Sequence, residues 1–276
     1  MREFAAALRL SREKGVGAAT FRRLVEEYIT PSLALEAWNN KLKKQHCLSL
    51  VSQNKTETVD LIAQTLKKIE MGMFYGWYYS QSGYPDRLKD LGEPPPVIFA
   101  SAPFFDKPMV AVVGARKMTP EAACMAAEIV KYFVGKGYAI LSGGAAGVDA
   151  VAHETALAEN ALTAAVLGTG IDVVYPECNR ELLNKIRTSG ILATELMPGA
   201  APVKSFFPTR NRIIAALAEI VVVVQASDKS GSMITAAWAS RLGRRIVTIV
   251  PPTDDLQKWA GNQMLIRSGA EIFKLP

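Results

Sequence analysis

The chain has 276 residues, 49% apolar and 21% charged, which excludes a disordered or low-complexity protein and leaves room for one large α/β domain and a small one. Its net charge of +6 and pI near 9.2 admit an anionic partner, whereas two histidines supply a metal site poorly and three cysteines at unpaired spacing argue against a disulfide frame. No run reaches the roughly 18 apolar residues of a membrane span, and the opening MREFAAALRLSREKGVG meets charge too early for a secretory signal, so a soluble cytoplasmic protein with no membrane partner is expected.

Residues 1–70 read as a small helical domain. In AATFRRLVEEY, Phe21, Leu24, Val25 and Tyr28 recur on one face at helical spacing. Pro31 opens the next helix, and TETVDLIAQTLKKIEMG forms another, with Thr56 as its N-cap. Gly15-Val16-Gly17 has two readings: a helix-hairpin-helix turn that offers backbone N–H groups to phosphate, or a tight connection between helices. Residues 71–107 read as an extended connecting segment, since prolines 94–96 forbid a helix, and the aromatic MFYGWYYS reads as packing between two domains.

From 108 to 276 apolar runs alternate with helices. MVAVVG is a continuous apolar run, as expected of a strand buried on both faces. A helix follows from Pro120, with Thr119 as N-cap and Gly137 as C-cap. Then come YAILS, a helix from about Val148, LTAAVLG, the helix NRELLNKIRTS, ILATE, the helix RNRIIAALA, EIVVVVQA, the helix SMITAAWASRL and RIVTIV. The pattern predicts an extended Rossmann-like α/β fold: a doubly wound, mostly parallel sheet behind a small N-terminal helical domain. Ligands of such sheets lie at the carboxyl ends of the strands.

Four of those ends carry glycine-rich turns: VVGARKMTP, LSGGAAGVDAVAH, LGTGIDVVYP and SDKSGSMITA. Glycine admits close backbone approach, and a helix N-terminus offers free N–H donors at the positive end of its dipole, so converging turns make an anion-binding crevice. Neither G-x-G-x-x-G nor a P-loop is present, since the first turn reads Gly114-Ala115-Arg116-Lys117-Met118-Thr119. Asp149 and His153 share a helix face without a nucleophile beside them, and there is no G-x-S-x-G elbow. His153 reads as a hydrogen-bonded histidine at a helix–sheet contact. No catalytic residue, cofactor or metal is expected. Between Lys204 and Arg245 seven cations (204, 210, 212, 229, 241, 244, 245) face two anions, Glu219 and Asp228. In KSFFPTRNRIIAAL two phenylalanines stand among these cations, either to pack or to present a ring beside a charged groove.

The ordered set VAVVGARKMT, SGGAAGVDAVAH, LGTGIDVVYP, FPTRNRIIA, SGSMITAAWA and GNQMLIRSGA resembles the DprA/Smf family, the DNA-processing proteins of bacterial transformation. The resemblance covers about residues 105–271. It implies a protein that binds single-stranded DNA on the Rossmann domain, protects incoming DNA, helps load RecA and forms a homodimer. It also implies the DNA-binding residues Gly114 and Arg116, where Ala115 replaces a hydroxyl donor, Lys204, Phe207, Arg210, Asn211 and Arg212, and Ser230, Gly231 and Ser232; Gly143 and Gly144 of the second glycine-rich turn and Arg244 of the cation-rich stretch are expected to join them. Phe207 would stack a base while Phe206 points into the fold. Arg210 and Arg212 have a second reading, as caps of the sheet through internal carboxylates such as Glu195. Pro251-Pro252 departs from the family's Pro-Gly, and with the last residue at Pro276 the winged helix of some members is expected to be missing. Two other functions compete. The related nucleoside-monophosphate phosphoribohydrolases carry P-G-G-x-G-T-x-x-E, but alignment through Thr235 puts Trp238 at the glutamate and Ile234 at a glycine. A nucleotide-binding carrier is the third reading.

Overall fold

A computed structural model of the chain describes residues 1–44, 55–252 and 256–274, so His46 and Cys47 lie outside the described residues. The chain divides into two compact units, Met1–Ser101 and Ala102–Pro276. No helix among the described residues is long and apolar enough to cross a membrane.

The first unit holds α1 (Arg2–Leu10), α2 (Ala18–Tyr28), α3 (Pro31–Lys44) and α4 (Lys55–Glu70), then β1 (Tyr75–Tyr78) and β2 (Val97–Ala100). Gly15-Val16-Gly17 joins α1 to α2, with Gly17 at the N-cap of α2. The helical spacing of α2 buries Phe21, Leu24 and Val25. α4 starts at Lys55, which places Thr56 inside the helix, and its side chain lies outside the described residues. Most of the segment read as an extended connector is folded into this unit. β1 and β2 pair antiparallel with Tyr75 opposite Ala100, and Phe99 meets Phe4 and Phe74 edge to face at 6.2 and 5.9 Å.

The second unit follows the predicted alternation: β3 (Met109–Val113), α5 (Pro120–Gly135), β4 (Ala139–Ser142), α6 (Val148–Ala158), β5 (Thr163–Val166), α7 (Arg180–Ser189), β6 (Ile191–Thr194), α8 (Phe206–Leu217), β7 (Ile220–Val223), α9 (Gly231–Arg241) and β8 (Arg245–Thr248). α10 (Leu256–Arg267) and β9 (Glu271–Ile272) complete it. Its strands run in the order β6-β5-β4-β3-β7-β8-β9, and the pairs on either side of β3, to β4 and to β7, are parallel. Every residue of β3, β4, β5, β6 and β7 is buried, as covering both faces with helices requires. Thr119 caps α5 as expected, its Oγ1 accepting from Ala122 N, whereas the C-cap is Lys136 and Gly137, one residue beyond it, takes the left-handed turn at φ +86°.

Two consequences position the site. β3 begins a run outward through β4, β5 and β6, and the chain then returns to lay β7 on the other side of β3. The turns after β3 and β7 therefore leave in opposite directions and open a crevice at the carboxyl ends of the strands. In addition, α8 begins at Phe206, four residues before the helix expected from the sequence. Pro208 fits in this first turn, where its missing N–H forfeits no helical bond.

Candidate nucleic-acid interface

Starting α8 at Phe206 decides which side chains share a face. At about 100° per residue, Phe207, Arg210, Asn211 and Ile214 line up, whereas Arg212 falls about 140° from Phe207. The first four border a cleft of about 590 Å3 at the switch point, together with Gly114 and Arg116 after β3, Lys204 before α8, and Ser230-Gly231-Ser232 at the start of α9. Nine of the thirteen sequence-predicted residues border this cleft, and six of the nine are not enclosed: Arg116, Lys204 and Gly231 are exposed, and Gly114, Phe207 and Ser230 are half-buried.

Phe207 is held from several sides. The Arg116 guanidinium stands 5.4 Å from its ring centre and the Tyr175 ring 5.3 Å away, tilted by 42°. Gly168 lies beneath it, where an added Cβ would come within 2.6 Å of the ring, so only glycine lets the β5 turn approach this closely. Tyr175 is 38% exposed and borders the same cleft, a ring absent from the residues expected there. A signal for it lies in the sequence: an aromatic one residue before a proline, in the loop after a glycine-rich strand end.

The cleft floor is a buried polar brace. Arg210 Nη1 donates to the Gly143 carbonyl at 2.6 Å and to the Val166 carbonyl, and its Nε donates to Asn211 Oδ1 at 3.2 Å. Beside it, Asp149 accepts from the Gly143 and Ala145 amides at 3.1 and 3.4 Å. Asn211 Nδ2 donates to the Gly231 carbonyl at 3.0 Å, which ties α8 to the start of α9. Burial pulls the Arg210 pKa down to about 10, against the pull of Asp149, and Arg116 lowers it further. Burial likewise pushes the Asp149 carboxyl up, opposed by Arg210 and the two amides. One turn along α6, His153 is held neutral: burial first, then Arg210, brings its pKa to about 3. Its Nδ1 contacts Thr163 Oγ1 at 2.7 Å, and that hydroxyl donates to the Ile140 carbonyl at 3.0 Å, so the ring nitrogen is the donor.

The turns lock to one another. Gly147, with φ +82°, starts α6 where a Cβ would lie 2.2 Å from the Ala115 carbonyl oxygen, and that oxygen accepts from Val148 N at 3.2 Å. The Ser230 and Ser232 hydroxyls meet at 2.7 Å, with the first turn of α9 facing the cleft. That turn presents the positive end of the helix dipole.

Five expectations need correction. Arg210 is only 5% exposed and serves three internal acceptors, so it cannot meet a phosphate without unfolding the brace. Arg212 faces away and, in line with its second reading, forms a half-buried ion pair with Glu195, whose carboxyl is pushed up by burial against the pull of Arg212. Gly143 is buried and its amide is committed to Asp149, not free for an anion. Gly144 is also buried, its carbonyl accepting from Asn179 Nδ2 at 3.0 Å. Arg244 precedes β8, at the amino ends of the strands, and donates to the Ala216 carbonyl at 3.1 Å, on the opposite rim. Asn211 and Ser232 keep their place along the cleft but are buried, as braces of the Ser-Gly-Ser turn.

A larger cavity, about 750 Å3 near α6 and α7, is bordered by Glu154, Glu177 and Glu181, with Arg180 already paired to Glu177. Lys185 also borders it, which leaves three carboxylates against two cations.

The family model of DNA recombination-mediator protein A matches residues 76–275, and that of the DprA-like N-terminal HHH domain matches residues 1–44. The chain is similar to Protein Smf of Synechocystis, at 38% identity over 69% of the chain and 49% of that protein, so it spans about half the length of this relative. Among solved structures it is similar to DNA processing protein A of Streptococcus pneumoniae, with TM-score 0.74 and 26% identity over 99% of this chain and 94% of that one. It is also similar to DNA processing protein A of Helicobacter pylori, from a structural study of that protein's single-stranded DNA binding mode. The TM-score is 0.65 and the identity 27%, over 73% and 92% of the two chains.

Proposed function

The chain belongs to the DNA recombination-mediator protein A family, the DprA/Smf proteins, and from that premise we propose that it binds single-stranded DNA along the carboxyl rim of its sheet without regard to sequence. The observation that carries this reading is the grouping of Arg116, Lys204 and Phe207 around one cleft, beside the N-terminus of α9. Phosphates meet the two cations and the helix end, and a base rests on the ring surface of Phe207 and Tyr175. The single-stranded DNA named in the study of the Helicobacter pylori protein supports the same ligand here.

In this role the chain protects incoming DNA in the cytoplasm and hands the strand to RecA during natural transformation, acting as a homodimer. Both partnerships come to it through family membership. Binding without catalysis is the reading the cleft favours. Asp149 is the one carboxylate bordering it among the described residues, and that group is committed to two backbone amides. At the position where the phosphoribohydrolases have their glutamate, Trp238 packs under the Arg241 guanidinium at 5.1 Å, and an indole cannot activate water.

The test is oligo-dT binding against salt. Contact with about four phosphates gives a slope of log affinity against log salt near −3, from ~0.7 per phosphate on single strands. A flat response removes the electrostatic cleft. Release of free adenine from AMP, abolished by a substitution in the cleft, would replace this reading with the enzymatic one.

A further inference from the structure

We propose, resting on the single-stranded DNA reading above, that Asp172 is a positioning residue for the strand, one that fixes where Lys204 meets a phosphate. Asp172 is an exposed carboxylate in the loop after β5, three residues before Tyr175. By charge alone it opposes a polyanion. Its Oδ1, however, accepts from Gly199 N at 2.6 Å, and Gly199 lies in the segment that leads from β6 to α8 through Lys204. The carboxylate therefore joins the loop that presents Tyr175 to the segment that presents Lys204, and both residues border the cleft.

The loop after β5 is the fixed side of this joint. Thr169 Oγ1 donates to the Val173 carbonyl at 3.0 Å, and Thr194 Oγ1, buried at the end of β6, donates to the Thr169 carbonyl at 2.8 Å. From α7, Arg187 Nη2 donates to the Ile171 carbonyl at 2.6 Å. The segment after β6 is the held side. Gly170 N donates to the Ala200 carbonyl at 2.9 Å, and a Cβ on Gly170 would lie 2.7 Å from the Met197 carbonyl oxygen and 2.8 Å from the Gly199 and Ala200 nitrogens. Beyond Ala200, residues 201–205 are all exposed until α8 begins at Phe206. When the joint opens fully, the free stretch grows from residues 201–205 to residues 195–205, about twice the length. By the three-halves power of loop length, Lys204 is then spread over roughly three times as many positions.

Asp172→Asn and Asp172→Ala remove the same charge, but the amide oxygen of asparagine still accepts from Gly199 N and a methyl group does not. Binding of dT10 across a salt series, and tryptic cleavage after Lys204 in the free protein, compare both variants with the parent. Asp172→Asn should be cleaved like the parent and bind dT10 as tightly or, at low salt, more tightly. Asp172→Ala should be cut roughly threefold faster and bind dT10 roughly threefold more weakly than Asp172→Asn. Its salt slope should shrink by up to ~0.7, the share of one phosphate. Adding Lys204→Ala to Asp172→Ala should cost less affinity than Lys204→Ala costs the parent, whereas Phe207→Ala should cost the same in both backgrounds.

Equal dT10 affinity and slope in the Asn and Ala variants overturn the proposal, even where cleavage after Lys204 differs. A cost of Phe207→Ala that shrinks together with that of Lys204→Ala also overturns it, because Asp172 then supports the whole cleft and not the lysine. Should Asp172→Ala fail to fold, Asp172→Leu keeps the branched shape without the acceptor and must show the same losses. If the parent binds dT10 with the expected slope while the variants agree, the role of Asp172 alone falls. If the parent binds no dT10, Lys204 has no phosphate to meet, and the reading of the cleft falls with it.

Discussion

Lys204 and Phe207 stand three residues apart on one cleft, yet salt separates what they do. Stacking on a ring is insensitive to counterions, so Phe207→Ala should weaken oligo-dT binding about 5- to 150-fold, the equivalent of ~1–3 kcal/mol, and leave the salt slope unchanged. Lys204→Ala should lower that slope by about 0.7, because one phosphate keeps its counterions. Unfolding of the Phe207→Ala protein in a urea titration would instead make the ring part of the core. His153 yields a different kind of test. Its pKa in the fold, about 3, lies below the ordinary 6.5, so between those values the unfolded chain takes up a proton that the folded chain does not. Stability therefore falls on acidification through that window, by up to ~1.4 kcal/mol per pH unit, and is unaffected by this group at higher pH. His153→Asn keeps a donor toward Thr163, and its urea midpoint should decline less steeply than the parent's between pH 6 and pH 4.

At the level of elements, α8 organises the cleft by facing one side to it and the other to the fold. Arg210 ties that helix to the turns after β4 and β5. Arg210→Met should cost roughly 3–5 kcal/mol, since it leaves the Asp149 carboxylate buried without its cation. Adding Asp149→Asn removes that charge while keeping an acceptor for the Gly143 and Ala145 amides, so the double variant should regain part of the loss. Chemical denaturation of the two single variants and the double variant measures this coupling. The helix itself was legible in its apolar spacing, but its start was not. The apolar spacing starts the helix at Arg210 and leaves Pro208 and the paired phenylalanines ahead of it, whereas a proline in a first turn forfeits nothing. Four residues of extra helix were enough to separate Phe207 from Arg212 by more than a third of a turn.

For the molecule as a whole, the doubly wound sheet puts one groove at the carboxyl ends of its strands, and a polymeric ligand should betray itself by length. Affinity for oligo-dT should climb as nucleotides are added and leave dTMP far behind; equal affinity for dTMP and dT10 would point to a nucleotide carrier. The strand–helix alternation, the Thr119 cap, the turn at Gly137 and the glycine turns at the strand ends were all readable along the chain, because each depends on local backbone preference or on burial of a whole strand. The sequence by itself determined that this is a mostly parallel α/β sheet with glycine-rich turns at its strand ends and a cation-rich stretch beside them. Which cations reach the carboxyl rim was decided only by tertiary structure. Arg210, Arg212 and Arg244 are as basic in the sequence as Arg116 and Lys204. Each is nevertheless drawn away by acceptors distant in the chain, the Gly143 and Val166 carbonyls, Glu195 and the Ala216 carbonyl, and a buried guanidinium must satisfy such neighbours before it can meet a ligand.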